Sequence, residues 1–134
     1  MKANELRIGN IVNISEDWYR RNPHLSKTPK QIIVDSINYD GLIGTSIYFA
    51  NGYEIEDDLE PIPLTEERLL KFGFDLIKSG CESPSDWYFR HNNLTGSIDN
   101  LTWKYTHQHG LKLKYVHQLQ NLYFALTGEE LKLV

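Results

Sequence analysis

The chain predicts an α+β protein, with a small N-terminal β-barrel or rolled sheet followed by a helix, an antiparallel sheet and a C-terminal helix. Three observations predict it. Residues 6–60 hold short alternating or β-branched runs separated by Asp-Gly, Asn-Gly and proline, the punctuation of hairpin-linked strands. Residues 64–74 carry the start and stop signals of a short helix, and residues 116–128 repeat apolar side chains at helical spacing up to a glycine. Between them lie runs of strand period. A length of 134 residues suits two small lobes, 1–63 and 64–134, expected to pack together with Leu64–Phe74 as the wedge.

In chain order, Leu6, Ile8, Val12 and Ile14 share a strand face, with a bulge or tight bend at Gly9. The opening Leu6-Arg-Ile-Gly-Asn-Ile-Val-Asn-Ile14 resembles the first strand of Src-homology-3-like barrels. Residues 15–30 hold two prolines and no steady period, which predicts an exposed loop. Gln31 to Ile37 is a second strand closed by a turn at Tyr39-Asp-Gly41, and Leu42 to Phe49 a third. Asn51-Gly52 favours a tight hairpin because both central residues must adopt positive φ. Tyr53 to Leu59 returns as a fourth strand, ended by Pro61 and Pro63.

Thr65 is placed to cap the next helix, with Glu66 and Glu67 at the positive end of its dipole and Leu64 stapled against Leu69. Gly73 supplies the left-handed stop that lets Phe74 fold back. Trp87 to His91 reads as a strand after the turn-rich residues 79–85. Leu101 to His107 puts Leu101, Trp103 and Tyr105 on one face and Thr102, Lys104 and Thr106 on the other. After a turn at 108–110, Leu111 to Tyr115 runs back with Leu111, Leu113 and Tyr115 inward. Val116, Leu119 and Tyr123, flanked by Leu122 and Leu126, form the stripe of a helix ended by Gly128, and Leu131–Val134 is expected as an edge strand.

Two stretches, Pro61-Ile-Pro-Leu-Thr-Glu-Glu-Arg-Leu-Leu-Lys-Phe-Gly-Phe74 and Tyr115-Val-His-Gln-Leu-Gln-Asn-Leu-Tyr-Phe-Ala-Leu-Thr-Gly-Glu-Glu-Leu-Lys-Leu133, resemble a group of short proteins of gut Bacteroidetes and their phages. Together they cover about a quarter of the chain. The resemblance implies an accessory protein of phage or mobile-element origin and brings no catalytic signature with it.

Composition narrows the function classes. One cysteine, Cys81, excludes an internal disulfide and fits a reducing compartment. The N-terminus lacks the apolar stretch of a secretory signal, and no apolar run approaches the roughly 18 residues a bilayer requires. A cytoplasmic protein with no membrane partner is therefore expected. Net charge is only −4, but residues 31–67 carry nine Asp/Glu and no Lys/Arg, so a phosphate backbone would have to contact one of the flanks.

No catalytic constellation stands out. His91, His107, His109 and His117 come without Cys-x-x-Cys or His-Glu-x-x-His spacing, so no metal or other cofactor is expected. Cys81 has no local signature of an activated nucleophile, and Walker, Rossmann and nucleophile-elbow patterns are absent from the sequence. Glu54, Glu56, Asp58 and Glu60 alternate with Tyr53, Ile55 and Leu59 as an acidic strand face, which discourages edge pairing.

A non-enzymatic binding module with a protein partner is the expected function. Its candidate contact residues are Trp18, Tyr19, Arg20 and Arg21, rings and guanidinium groups of the kind that form hot spots. The same Trp18 is equally suited to plug the end of the β-rich lobe. The alternative is a nucleic-acid-binding protein using Lys104, Lys112 and Lys114, outward on a hairpin within residues 101–127, which contain no acidic residue. Parity there sends Trp103, Tyr105 and Tyr115 inward, away from any base.

Overall fold

The computed structural model describes residues 5–25, 30–37, 43–45, 58–78, 87–97, 101–105 and 110–134. The Tyr39–Gly41 turn, the Asn51-Gly52 hairpin, Cys81, His107 and His109 lie outside them. The fold is α+β with two antiparallel sheets, and the chain divides into two compact units, Met1–Ile62 and Pro63–Val134.

The first unit carries four antiparallel strands, β1 (Ile11–Ile14), β2 (Gln31–Ile37), β3 (Ile43–Thr45) and β4 (Leu59–Glu60), in the order β3-β2-β1-β4. Among the described residues this sheet is open, with β3 and β4 as its edges. The first strand is shorter than its alternation predicts. Leu6 is buried, but Ile8 is exposed and Gly9 turns the chain at φ +95°, a conformation cheap only for glycine. Its N–H reaches the Val34 carbonyl at 2.7 Å, and the buried Asn10 accepts from the Arg7 N–H through Oδ1 at 2.7 Å. The regular strand register begins at Ile11, opposite Ile33.

Residues 15–25 are not the expected loop. They form a helix, α1 (Glu16–Arg21), and a 3-10 turn at Pro23–Leu25. The Ser15 hydroxyl accepts the Trp18 N–H at 3.1 Å, acids fill the first turn and arginines the last, and Asn22 Nδ2 donates to the Trp18 carbonyl at 2.9 Å. Six helical residues are too few to display a period, so these end signals were the only trace available. Trp18 is the buried residue of α1 and joins Leu6, Val12, Ile14, Ile32, Val34 and Leu59 in the core.

The expected acidic stripe also needs correction. Glu54 and Glu56 lie outside the described residues, but Asp58 does not share a solvated face with Glu60. Asp58 is buried beside the buried Leu59, which breaks the alternation, and its carboxylate accepts from Arg21 Nη2. Its carbonyl accepts the Ser15 N–H at 2.8 Å, so β4 and α1 are tied by both backbone and charge.

In the second unit, α2 (Glu66–Lys71) starts as the sequence predicts, with Thr65 Oγ1 accepting the Arg68 N–H. Gly73 at φ +81° ends it, with Phe74 N–H bonding the Leu69 carbonyl and Gly73 N–H that of Leu70. These paired bonds satisfy carbonyls the helix leaves open. Five antiparallel strands follow in chain order: β5 (Asp75–Ile77), β6 (Tyr88–His91), β7 (Leu94–Ser97), β8 (Thr102–Tyr105) and β9 (Leu111–Lys112). β5 and β7 have no counterpart in the sequence expectation. β5 is three residues long, and β7 carries Gly96, which lowers strand propensity.

Register explains that glycine. Gly96 pairs with Trp103, and a Cβ on Gly96 would run into the Trp103 ring. The indole covers the bare backbone and is itself buried with Phe89 and Leu94 on the inner face. Phe74 meets Trp103 edge-on at 5.4 Å and His91 at 5.1 Å. Helix α3 (Val116–Thr127) closes this core with Val116, Leu119 and Tyr123, and ends at Gly128 as predicted. Tyr123 meets the His91 ring at 5.1 Å and accepts from Asn92 Nδ2 at 2.8 Å.

Two details depart from expectation. Leu111 is 53% exposed although it pairs with the buried Trp103, because β9 is a two-residue strand at the edge of the sheet. Residues 131–134 form no strand. Leu131 is buried and the Val134 N–H donates to the Lys71 carbonyl at 2.7 Å, so the chain end completes the cap of α2.

Candidate functional site

Strand parity divides the five-stranded sheet into two chemically distinct faces. Phe89, His91, Leu94 and Trp103 point to the core face, so their neighbours must point outward. One outward row runs Asp75, Arg90, Thr95, Lys104 across four strands, each residue paired with the next. A second row carries Ser97, Thr102 and Lys112, and Tyr88 shares this face because it precedes Phe89. Arg90, Lys104 and Lys112 are exposed, while Tyr88, Thr95, Ser97 and Thr102 are half-buried.

These residues enclose a depression of about 220 Å³ lined by Tyr88, Thr95, Gly96, Ser97, Thr102 and Lys104. Its lining combines three small hydroxyl side chains with a phenol ring and an ammonium group. No ion pair engages Arg90, Lys104 or Lys112 among the described residues. Nearby, Lys78 places its Nζ 4.5 Å from the centroid of the Trp87 ring, adding a further cation beside the start of β6.

The structure thus brings together two of the three predicted lysines, Lys104 and Lys112. Lys114 lies beyond β9. Its N–H donates to Gln118 Oε1 at 2.9 Å and its carbonyl accepts from Leu64, so its backbone belongs to the start of α3. Sequence reasoning missed Tyr88, Arg90, Thr95 and Ser97. The signal for the first two was present: inside the expected strand 87–91 they alternate with the apolar Phe89. Thr95 and Ser97 had no such marker, since β7 itself was not predicted. Of the rings expected to turn inward, Trp103 does so, while Tyr88, outside that expectation, lies on the outer face. Tyr115 is half-buried and stacks on the buried His117 ring at 5.9 Å, and the side chain of Tyr105 lies outside the described residues.

The four residues on α1 are distributed differently. Trp18 is 4% exposed and meets Tyr19 edge-on at 5.2 Å. Arg21 pairs with Asp58 and sits 3.5 Å from Asp17, while Arg20 is exposed and 3.9 Å from Asp17. Trp18 therefore plugs the core and offers no contact surface, leaving Arg20 as the most open of the four.

No three His, Cys, Asp or Glu side chains converge as a metal site among the described residues. His91 is packed between Phe74 and Tyr123, and His117 is buried in the first turn of α3. No helix among the described residues is long and apolar enough to cross a membrane. Comparison with models of known families, with curated proteins and with solved structures returned no match.

Proposed function

We propose that this chain is a non-enzymatic binding module whose contact surface is the outer face of its five-stranded sheet, and that its partner is nucleic acid. One juxtaposition carries the reading. Arg90, Lys104 and Lys112 project from three strands around a hydroxyl-lined depression, outside any ion pair among the described residues. Cations presented this way release counterions from a phosphate backbone, and Thr and Ser hydroxyls add hydrogen bonds to phosphate or sugar.

The magnitude is modest. Three neutralised phosphates on a single strand give a log–log salt slope of about −2, an affinity loss of roughly 20-fold between 50 and 200 mM salt. Fluorescence anisotropy of a labelled oligonucleotide over that salt range tests it. Replacing Lys104 or Lys112 with alanine should flatten the slope by about 0.7 each. Failure to bind single-stranded or duplex oligonucleotides at low salt would dispose of the reading.

The resemblance of residues 61–74 and 115–133 to phage-associated proteins supports placing such a module among mobile-element accessory proteins. We also read the first unit as part of a small barrel of the Src-homology-3 type. Its support is the run of four antiparallel strands and the bend at Gly9.

A further inference from the structure

We infer that the depression on the outer face seats an unpaired nucleobase stacked against Tyr88, so that the module selects single strands over duplex. The inference rests on the nucleic-acid reading above and adds to it what the cations alone cannot supply, a preference for exposed bases. Tyr88 is the aromatic side chain lining the depression, and it shares its strand face with Arg90 two residues on. Thr95 and Ser97 on the neighbouring strand and Thr102 and Lys104 on the next line the same depression. A base laid on the phenol would direct its polar edge at hydroxyls able to donate or accept, while Arg90 and Lys104 meet the adjoining phosphates.

The shape of the site argues the same way. Its floor is sheet backbone at Gly96 with short side chains around it, because the indole of Trp103 occupies the opposite side of that glycine. The result is a recess of about 220 Å³ on the outer sheet face, bordered by one ring, three hydroxyl side chains and one ammonium group. A duplex keeps its internal base faces stacked, so along its length it offers Tyr88 no π-face to stack on. An unpaired strand exposes a π-face at every position, which makes the contact tolerant of sequence.

Three ligands separate the possibilities: an unpaired oligonucleotide of about ten residues, a duplex of the same length, and heparin, a polyanion without bases. Tyr88→Leu keeps apolar bulk where Tyr88→Ala risks loosening the sheet, and circular dichroism confirms that each variant is folded. Tyr88→Leu should weaken the unpaired oligonucleotide by about five- to 150-fold and leave heparin unchanged, whereas Tyr88→Phe keeps wild-type affinity. Ring-proton resonances of Tyr88 should move upfield on adding the unpaired strand and stay in place with heparin. Equal affinity of wild type for single strand and duplex, or equal loss of oligonucleotide and heparin in Tyr88→Leu, would overturn the stacking inference while leaving the cationic surface standing. Absence of any oligonucleotide binding would overturn both.

Discussion

On α1, Trp18 and Tyr19 stand beside Arg20 and Arg21; on the outer sheet face, Tyr88 stands beside Arg90 with Lys104 across the strands. The residue types are nearly the same and the outcomes are opposite. In the first cluster the helix turns its largest ring into the core and Arg21 is drawn to a buried carboxylate. In the second, parity places the ring and the cations together on the side away from the core. Composition marks both as contact surfaces, but what a ring can touch depends on which face of its element meets the interior. A helix one and a half turns long has one inward position to fill, and the largest apolar group takes it. A strand alternates, so an apolar Phe89 fixes its neighbours outward whatever their chemistry.

Breaking the first cluster should have the largest effect. Trp18→Ala removes a fully packed indole and is expected to cost about 3–5 kcal/mol in denaturant unfolding. A loss near zero would return Trp18 to the surface and revive the protein-contact reading. Gly96→Ala attacks the other unit from its inner side, forcing the Trp103 ring to move, and should cost about 1–3 kcal/mol by the same measurement. Asp58→Ala removes the buried partner of Arg21 and leaves it only the exposed Asp17. Since Arg21 is half exposed, the expected cost is only about 1–2 kcal/mol, read as a shift in the urea midpoint.

Lys104→Ala and Lys112→Ala sharpen the contrast from the other side. Both residues are exposed, so each should alter stability by no more than about 0.5 kcal/mol while reducing the salt dependence of binding. Smallest of all is the Glu16–Lys30 pair, 2.7 Å apart on the surface. The hydrogen bond and charge of Lys30 hold the Glu16 carboxyl below its ordinary range, and those of Glu16 raise Lys30. A depressed carboxyl contributes stability above its unfolded pKa and loses it as pH falls through the folded one. Glu16→Gln should therefore narrow the stability difference between neutral and acidic pH slightly, and moderate salt should erase that difference.

The elements with strong end chemistry were readable in advance. Thr65 and Gly73 bound α2, Gly128 ends α3, and Gln31–Ile37 is a strand rich in β-branched residues, with Ile32 and Val34 buried and Ile33 exposed between them. Those features rest on φ preferences, capping hydrogen bonds and side-chain period, all local properties of a few neighbouring residues. The inward fate of Trp103 was equally readable, because alternation within one strand decides it. The candidate site was visible only in fragments, as Thr102, Lys104 and Lys112.

Other features needed partners far along the chain. β7 is a strand because Phe89 and Trp103 flank Gly96 on either side, and the indole makes good the missing side chain. Asp58 is buried because Arg21, 37 residues away, arrives to meet it. The outer face exists because β6, β7 and β8 align three separate parities into one surface, bringing Tyr88, Thr95 and Lys104 around a common recess. Period and propensity act over a few residues, whereas register and burial are settled by what lies across the sheet.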